Sequence, residues 1–214
     1  MMAGIGLAVL GFFSGSILFS SLLPMLLKGI DITACSEDHN PGASNAFAFA
    51  GKGIGFLALF CDLSKGALPI LLARQILSLN DPMMALVIAA PVLGHAFSPF
   101  AHGHGGKAIA ASFGVFLGLF PESTLLLPLI FWYLLLSFVF ALRPHAWRTV
   151  IVFSFLLIAA ALQPYAPLFW GTLLLSGTVI YRHLPGLRSS APEIWCFGHK
   201  LWAFRPHCEQ DLQD

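Results

Sequence analysis

Three polar stretches interrupt an otherwise apolar chain, and each carries residue types that can hold an anion. The first is Asn40-Pro41-Gly42-Ala43-Ser44-Asn45, preceded by Glu37, Asp38 and His39. Proline fixes one backbone angle, and glycine permits a left-handed turn. Successive N–H groups can then converge into an anion-binding concavity, with Ser44 and Asn45 as side-chain donors. An ordinary Asn-Pro-Gly loop turn accounts for the same residues. The second stretch holds Asp62 and Lys65 inside an apolar run. An ionised group at mid-membrane costs about 3 kcal/mol or more, and a spacing of three lets opposite charges pair on one helical face. Such a pair either neutralises itself or has Asp62 hold Lys65 toward a polar pocket. The third stretch reads GHAFSPFAHGHGGKAIA, residues 94–110. Gly105 and Gly106 let a backbone approach an anion, and Lys107 adds a point charge before the next apolar run. This is not a Walker A loop, which needs glycine in place of Ala101 and Ser or Thr in place of Ala108. His95, His102 and His104 invite a zinc reading, but no H-E-x-x-H occurs and no Cys or carboxylate is close by. The expectation is no metal and no cofactor. His102 and His104 then serve as polar loop side chains or phosphate donors, and His95 caps or braces the loop.

The elements that position these residues are membrane helices. Of the 214 residues, 57% are hydrophobic and 10% charged, against about 25% charge in a soluble domain. The net charge of +1 gives no reason to expect a nucleic-acid partner. The four cysteines (Cys35, Cys61, Cys196, Cys208) are scattered and read as free thiols. A helix needs about 20 apolar residues to cross a bilayer core, fewer where neighbours bury it. Seven candidate spans result, over residues 4–27, 54–77, 82–100, 109–120, 124–142, 149–162 and 168–181, the fourth and the last two being short. The first reads as a span rather than a removed signal peptide. With the N-terminus outside, nine of the eleven Lys and Arg fall inside; the opposite orientation reverses that bias. The expected fold is therefore all-α: a polytopic helical bundle of about seven transmembrane helices, N-out and C-in, over residues 1–188. A cytoplasmic or interfacial tail, 189–214, follows. In it Trp195, Phe197, Trp202 and Phe204 interleave with Lys200 and Arg205, which suits the headgroup region. Both polar loops then lie on the cytoplasmic face, where two anion-cradling loops and a buried Asp/Lys pair suggest a site for a phosphorylated substrate.

Several stretches resemble the bacterial acyl-phosphate:glycerol-3-phosphate acyltransferases, the PlsY-type family. They are GSILFS at 15–20, KGIDI at 28–32, NPGASNAF at 40–47, DLSKGALPILLA at 62–73, GHAF at 94–97 and GGK at 105–107. Each is weak alone; their order and spacing over roughly residues 11–120 are specific. The resemblance implies a multi-pass enzyme of the bacterial cytoplasmic (inner) membrane that works in phospholipid biosynthesis without a cofactor. It would move a fatty acyl group from acyl phosphate to glycerol 3-phosphate, giving lysophosphatidic acid. Asn40, Gly42, Ser44 and Asn45, with His39, would hold glycerol 3-phosphate. Gly105, Gly106 and Lys107 would hold the acyl-phosphate headgroup, while Lys65, braced by Asp62, adds charge and Ser16 faces the same site. Acyl phosphate carries a good leaving group, so the main needs are orientation and neutralisation of the departing phosphate. A phosphate oxygen or a side chain takes the hydroxyl proton, the candidates being His95, His104 and Lys65.

The chain departs from the family pattern at identifiable places. Glu37, Asp38 and His39 stand where Gly-Ser-Gly is usual before Asn-Pro-Gly, Ala48 replaces an arginine, and Ala108 replaces the glycine after Lys107. Gly103 and His104 replace an aromatic followed by lysine. A later serine-containing motif is not recognisable. Of the closing His-Arg-x-Asn-Ile motif only Tyr181-Arg182-His183 is left as a remnant. An alternative reading is a transporter or non-catalytic binding protein for a small anionic phosphometabolite. A coenzyme-A-dependent acyltransferase is not expected. That class needs His-x-x-x-x-Asp, and His207 stands one residue too close to Asp211.

Overall fold

A computed structural model describes residues 1–188, 191–197 and 199–203. Its helices are α1 (Met2–Ser16), α2 (Phe19–Lys28), α3 (Ile32–Cys35), α4 (Ala43–Asn45), α5 (Lys52–Ala73), α6 (Met83–Ala96), α7 (Ile109–Leu119), α8 (Leu126–Leu134), α9 (His145–Ala161) and α10 (Ala166–Arg188). α1 packs on α6 and α5, α5 on α7, α6 on α10, and α9 on α8 and α10. The core is continuous through Ile88 and Val92 of α6, Val115 and Phe116 of α7, Phe153 and Leu156 of α9, and Leu168 and Leu175 of α10. The outward faces are apolar as well: Phe56 and Phe60 of α5, Phe131 of α8 and Ile158 of α9 are exposed. A soluble protein rarely leaves such a surface; lipid is its natural solvent.

Among the described residues two helices are long and apolar enough to cross a membrane alone, Lys52–Ala73 and Met83–Ala101. At 22 residues the first reaches about 33 Å. Over the expected first span the helix is broken: α1 and α2 meet at 43° across Ile17–Leu18 and together have the length and apolarity of one further span. Residues 109–119, 126–139 and 145–161 are shorter apolar helices. Helix packing is close where the sequence is small. A Cβ on Gly94 of α6 would stand 1.9 Å from the Phe12 carbonyl of α1, and one on Gly114 of α7 would stand 2.0 Å from the Leu63 carbonyl of α5. In lipid, where burial of apolar surface gives helices little reason to associate, such backbone approach carries much of the packing.

The all-α expectation needs one correction. Strands β1 (Phe140–Arg143), β2 (Glu193–Cys196) and β3 (His199–Ala203) form an antiparallel sheet in that order. Phe140 pairs with Cys196 and Arg143 with Glu193; Ile194 pairs with Trp202. The cause is local. α8 loosens into a π-helical turn at Leu135–Val139, and Pro144 disfavours helix in the residue before it. The freed backbone of 140–143 then takes the chain's last apolar stretch as its partner. Arg143 stacks over the Trp195 ring at 5.2 Å, and Lys200 pairs with Glu193. Of the expected interfacial tail, Glu193–Cys196 and His199–Ala203 form a ribbon; its Phe204 and Arg205 lie outside the described residues.

The tight helix contact is testable. Gly94→Ala forces α1 and α6 apart and is expected to cost about 1–3 kcal/mol. Gly177→Ala, where nothing lies within 4 Å, is expected to change stability by less than about 1 kcal/mol. Thermal unfolding in detergent reads both.

Candidate functional site

The charged pair expected inside the membrane is there, and its work is local. Asp62 and Lys65 sit one turn apart on α5, 2.7 Å between charges and almost wholly buried. Lys65 Nζ donates to the Ile17 carbonyl at 2.5 Å, and Ser20 Oγ donates to Asp62 Oδ2 at 2.5 Å. Ile17 lies in the break between α1 and α2, where a carbonyl loses its helical partner. The pair therefore clasps that break from the side, with the Phe19 ring 5.9 Å from the ammonium. Ser16, also buried, turns its hydroxyl back to the Phe12 carbonyl at 2.7 Å, and its own carbonyl accepts from Ser98 Oγ at 2.6 Å.

The first polar loop folds differently from a glycine-led nest. The left-handed residue is His39 (φ 46), whereas Gly42 is extended (φ −108) and precedes the single turn of α4. The Gly42 N–H goes to the Asn40 carbonyl at 2.8 Å, and the Asn45 N–H to the Gly42 carbonyl at 3.0 Å. Asn45 Nδ2 donates to the Asn40 carbonyl at 2.8 Å and to Asp38 Oδ1 at 2.9 Å. His39 Nδ1 meets the Thr33 carbonyl at 2.8 Å. Ser44 is exposed on α4.

The second loop is built under His95, at the end of α6. The Gly106 N–H donates to the His95 carbonyl at 3.0 Å. Glycine is required at both positions. A Cβ on Gly105 would meet the His95 carbonyl at 1.9 Å, and one on Gly106 would meet His95 Nε2 at 2.2 Å. His95 is buried and braces the loop from below, while His104 is exposed at its rim. The family's usual glycine after Lys107 also finds its reason: Ala108 is left-handed, with φ 60.

The two loops meet through Lys107. Its Nζ donates to Asp38 Oδ2 at 2.7 Å and lies 3.2 Å from His145 Nε2. An ammonium only donates, so this imidazole is neutral there, with Nε2 as acceptor. Partial burial pushes the Asp38 pKa up. Hydrogen bonds from Lys107 and Asn45, with the charge of Lys107, outweigh it and hold the group at about 2. From the far side Arg182 of α10 donates to the carbonyls of Gly105 and Gly106. His145 and Arg182 are the residues that motif reading missed. Arg182 was visible only in the remnant Tyr181-Arg182-His183, and His145 only as a basic group at the start of a late span.

These groups line a cavity of about 660 Å³ that also takes in His39, Asn40 and Arg188. Through His39 it abuts a second cavity of about 460 Å³ that reaches Leu18, Ser21, Thr33 and His104. A third, about 380 Å³, shares Leu18, Ser21, Thr33 and Ala101 with the second and ends among Ile17, Leu22, Met25 and Phe100, beside Ser16. The series is basic at one end, where Asp38 pairs with Lys107, and mostly apolar at the other, where Asp31, Ser16 and Ser98 also line it. Of the expected site residues, His39, Asn40, Gly105 and Lys107 line its basic end. Asn45 reaches that end through Asp38, and Asp62 and Lys65 hold the helix break above its apolar end. Among the described residues no three His, Cys, Asp or Glu side chains gather as metal ligands. Cys35, Cys61 and Cys196 are free thiols.

Comparison with known proteins adds an independent line. Residues 5–190 match the family model described as glycerol-3-phosphate acyltransferase. The chain is 36% identical over 183 residues to the glycerol-3-phosphate acyltransferase of Azotobacter vinelandii, covering 86% of this chain and 93% of that one. It is 35% identical over 182 residues to the Pseudomonas aeruginosa protein of the same name, covering 85% and 93%. In fold it is similar to crystal structures of PlsY (YgiH), an integral membrane glycerol 3-phosphate acyltransferase. The glycerol 3-phosphate form gives a TM-score of 0.76 and the lysophosphatidic acid form 0.74, each at 24% identity and covering 87% of this chain and 90% of that one.

The buried clasp makes a sharp prediction. Asp62→Asn strands the Lys65 charge and is expected to cost about 3–5 kcal/mol, whereas Asp62→Leu with Lys65→Met costs less than either single change. A double-mutant cycle on detergent-solubilised protein measures the coupling.

Proposed function

The chain belongs to the glycerol-3-phosphate acyltransferase family, and on that footing we propose how its site works and how it sits in the membrane. It is a membrane acyltransferase of phospholipid synthesis that acts on glycerol 3-phosphate, and this membership favours an enzyme over a transporter or silent binding protein. The acyl donor is acyl phosphate. The observation that carries this reading is the series of cavities, with Lys107, Arg182 and Arg188 at one end and Ile17, Leu22, Met25 and Phe100 at the other. An anionic head with a long apolar tail fits such a series; a purely water-soluble substrate has no use for its apolar end.

In this reading the loop of Asn40 to Asn45 receives glycerol 3-phosphate, and Lys107, on the loop fixed by Arg182, neutralises the acyl-phosphate headgroup. The sn-1 hydroxyl attacks the acyl carbon; a C–O ester bond forms, the bond from that carbon to the phosphate oxygen breaks, and inorganic phosphate leaves. Lysophosphatidic acid remains. No covalent enzyme intermediate is needed, because positioning and charge neutralisation supply the rate. When Lys107 turns to a phosphate it releases His145 Nε2, and that neutral nitrogen takes the hydroxyl proton. His145 lines the cavity beside Lys107, whereas His95 and Lys65 are buried under or behind the loops.

The protein spans the bacterial cytoplasmic membrane several times, about seven by the sequence pattern, with the N-terminus out and the described C-terminal ribbon in. The gathering of Lys107, Arg182 and Arg188 at one cavity supports this. Arg74, away from this cavity, pairs with Glu122.

Membranes carrying the protein are expected to convert acyl phosphate and labelled glycerol 3-phosphate into lysophosphatidic acid. Lys107→Ala should lower kcat/KM at least about 100-fold. His145→Gln should lower kcat about 100-fold or more with a smaller change in KM. Absence of product from folded wild-type protein would sink the reading; unchanged turnover in both variants would move the site elsewhere.

A further inference from the structure

The acid that breaks the family pattern is held in a telling way. Three donors converge on the Asp38 carboxylate: Lys107 Nζ at 2.7 Å on Oδ2, and Asn45 Nδ2 at 2.9 Å and the Asn40 N–H at 3.3 Å on Oδ1. All three come from the two loops assigned to substrate phosphates and belong to residues expected to bind substrate. A carboxylate there offers what a phosphate offers: two anionic oxygens at charge-assisted hydrogen-bond distance. We propose that Asp38 is an internal stand-in for substrate phosphate, and that substrate binds by displacing its carboxylate from Lys107 and Asn45. The inference rests on reading this cavity as the phosphate site.

Geometry allows the exchange. The Asp38 side chain is 42% exposed and lines the cavity, so it can swing into water without entering the core. It cannot stay beside a bound phosphate, because two anions on one ammonium repel. Nor does it leave by protonation at working pH, since its neighbours hold it ionised down to about pH 2. The site therefore carries its own anion, which sets a threshold. A phosphate dianion with strong acceptor oxygens can win Lys107, and a weaker monoanion cannot. Asp38 thus acts as a specificity-determining residue: it weakens substrate binding and excludes smaller anions more.

Asp38→Asn tests this, because the amide oxygen can still accept from Asn45 and Asn40 while the competing charge is gone. The expected result is a KM for glycerol 3-phosphate, or an inhibition constant for inorganic phosphate, about three- to tenfold lower than in the wild type. Inhibition by chloride should strengthen as well. Asp38→Ser, which also lacks the charge, should move the phosphate constant in the same direction and serves if the asparagine variant is poorly folded. Unchanged or raised constants in the folded variants overturn the proposal and make Asp38 a tie between loops or a substrate contact. Lys107→Ala separates the two readings. If it leaves the phosphate constant untouched, the site assignment fails. If it weakens phosphate while Asp38→Asn does not tighten it, only the stand-in fails.

Discussion

Lys65 reaching the Ile17 carbonyl is the contact on which the arrangement of this molecule turns. A spanning helix that breaks inside a membrane leaves backbone groups without partners, and no water is there to satisfy them. Here the break between α1 and α2 is held by the Lys65 Nζ from α5, which pairs with Asp62 one turn earlier. Ser20, just past the break, ties back to the same carboxylate. The Ile17 carbonyl, which also accepts from the Phe19 N–H at 3.2 Å, gains the Lys65 ammonium as a second donor where α2 leaves the line of α1 by 43°. The placement of the first polar loop follows from that departure. α2 carries Lys28 to the Ala50 carbonyl, 2.9 Å away, and so fixes where the loop of residues 29–50 begins and ends. A straight first helix would carry that loop out along its own axis.

The second loop is placed by the opposite strategy, which is absence of side chains. Gly105 and Gly106 lie so close to the end of α6 that His95 fills the space a Cβ would need. Arg182 takes the two carbonyls of these glycines from α10, so the loop is pinned from two helices far apart in sequence. Rigid support on both sides matters for the chemistry. Lys107 extends from the pinned segment as a charge of defined position, and electrostatic stabilisation is worth most when its donors need not reorganise.

How much of this was legible in the sequence depends on the range of the interaction. The pairing of Asp62 with Lys65 is an i,i+3 relation and can be read directly. The need for glycine before Lys107 can be read as well, although its cause, contact with His95, cannot. The break after Ser16 could not be read, because GSILFS contains no proline and its apolar run continues. The carbonyl it frees is satisfied by a residue 48 positions away. The small sheet was missed for a related reason. Residues 140–143 look like the end of a span, and only pairing with 193–196 turns them into a strand. Arg182 and His145 escaped because their partners lie 76 and 38 residues away, and short motifs do not report such separations.

The polar loop before α4 shows how a change of residue type can alter the chemistry of a site. The family pattern places small residues before Asn-Pro-Gly; this chain places Asp38, with His39 taking up the left-handed turn. An unpaired acid there would leave Lys107 free; the observed acid instead pairs with Lys107 and Asn45. The two loops are thereby tied together by groups that, on the proposed reading, substrate would bridge. Binding would then exchange one set of charge-assisted hydrogen bonds for another, its net strength a difference between two similar terms. Affinity at such a site is set less by how many cations surround it than by what those cations must release.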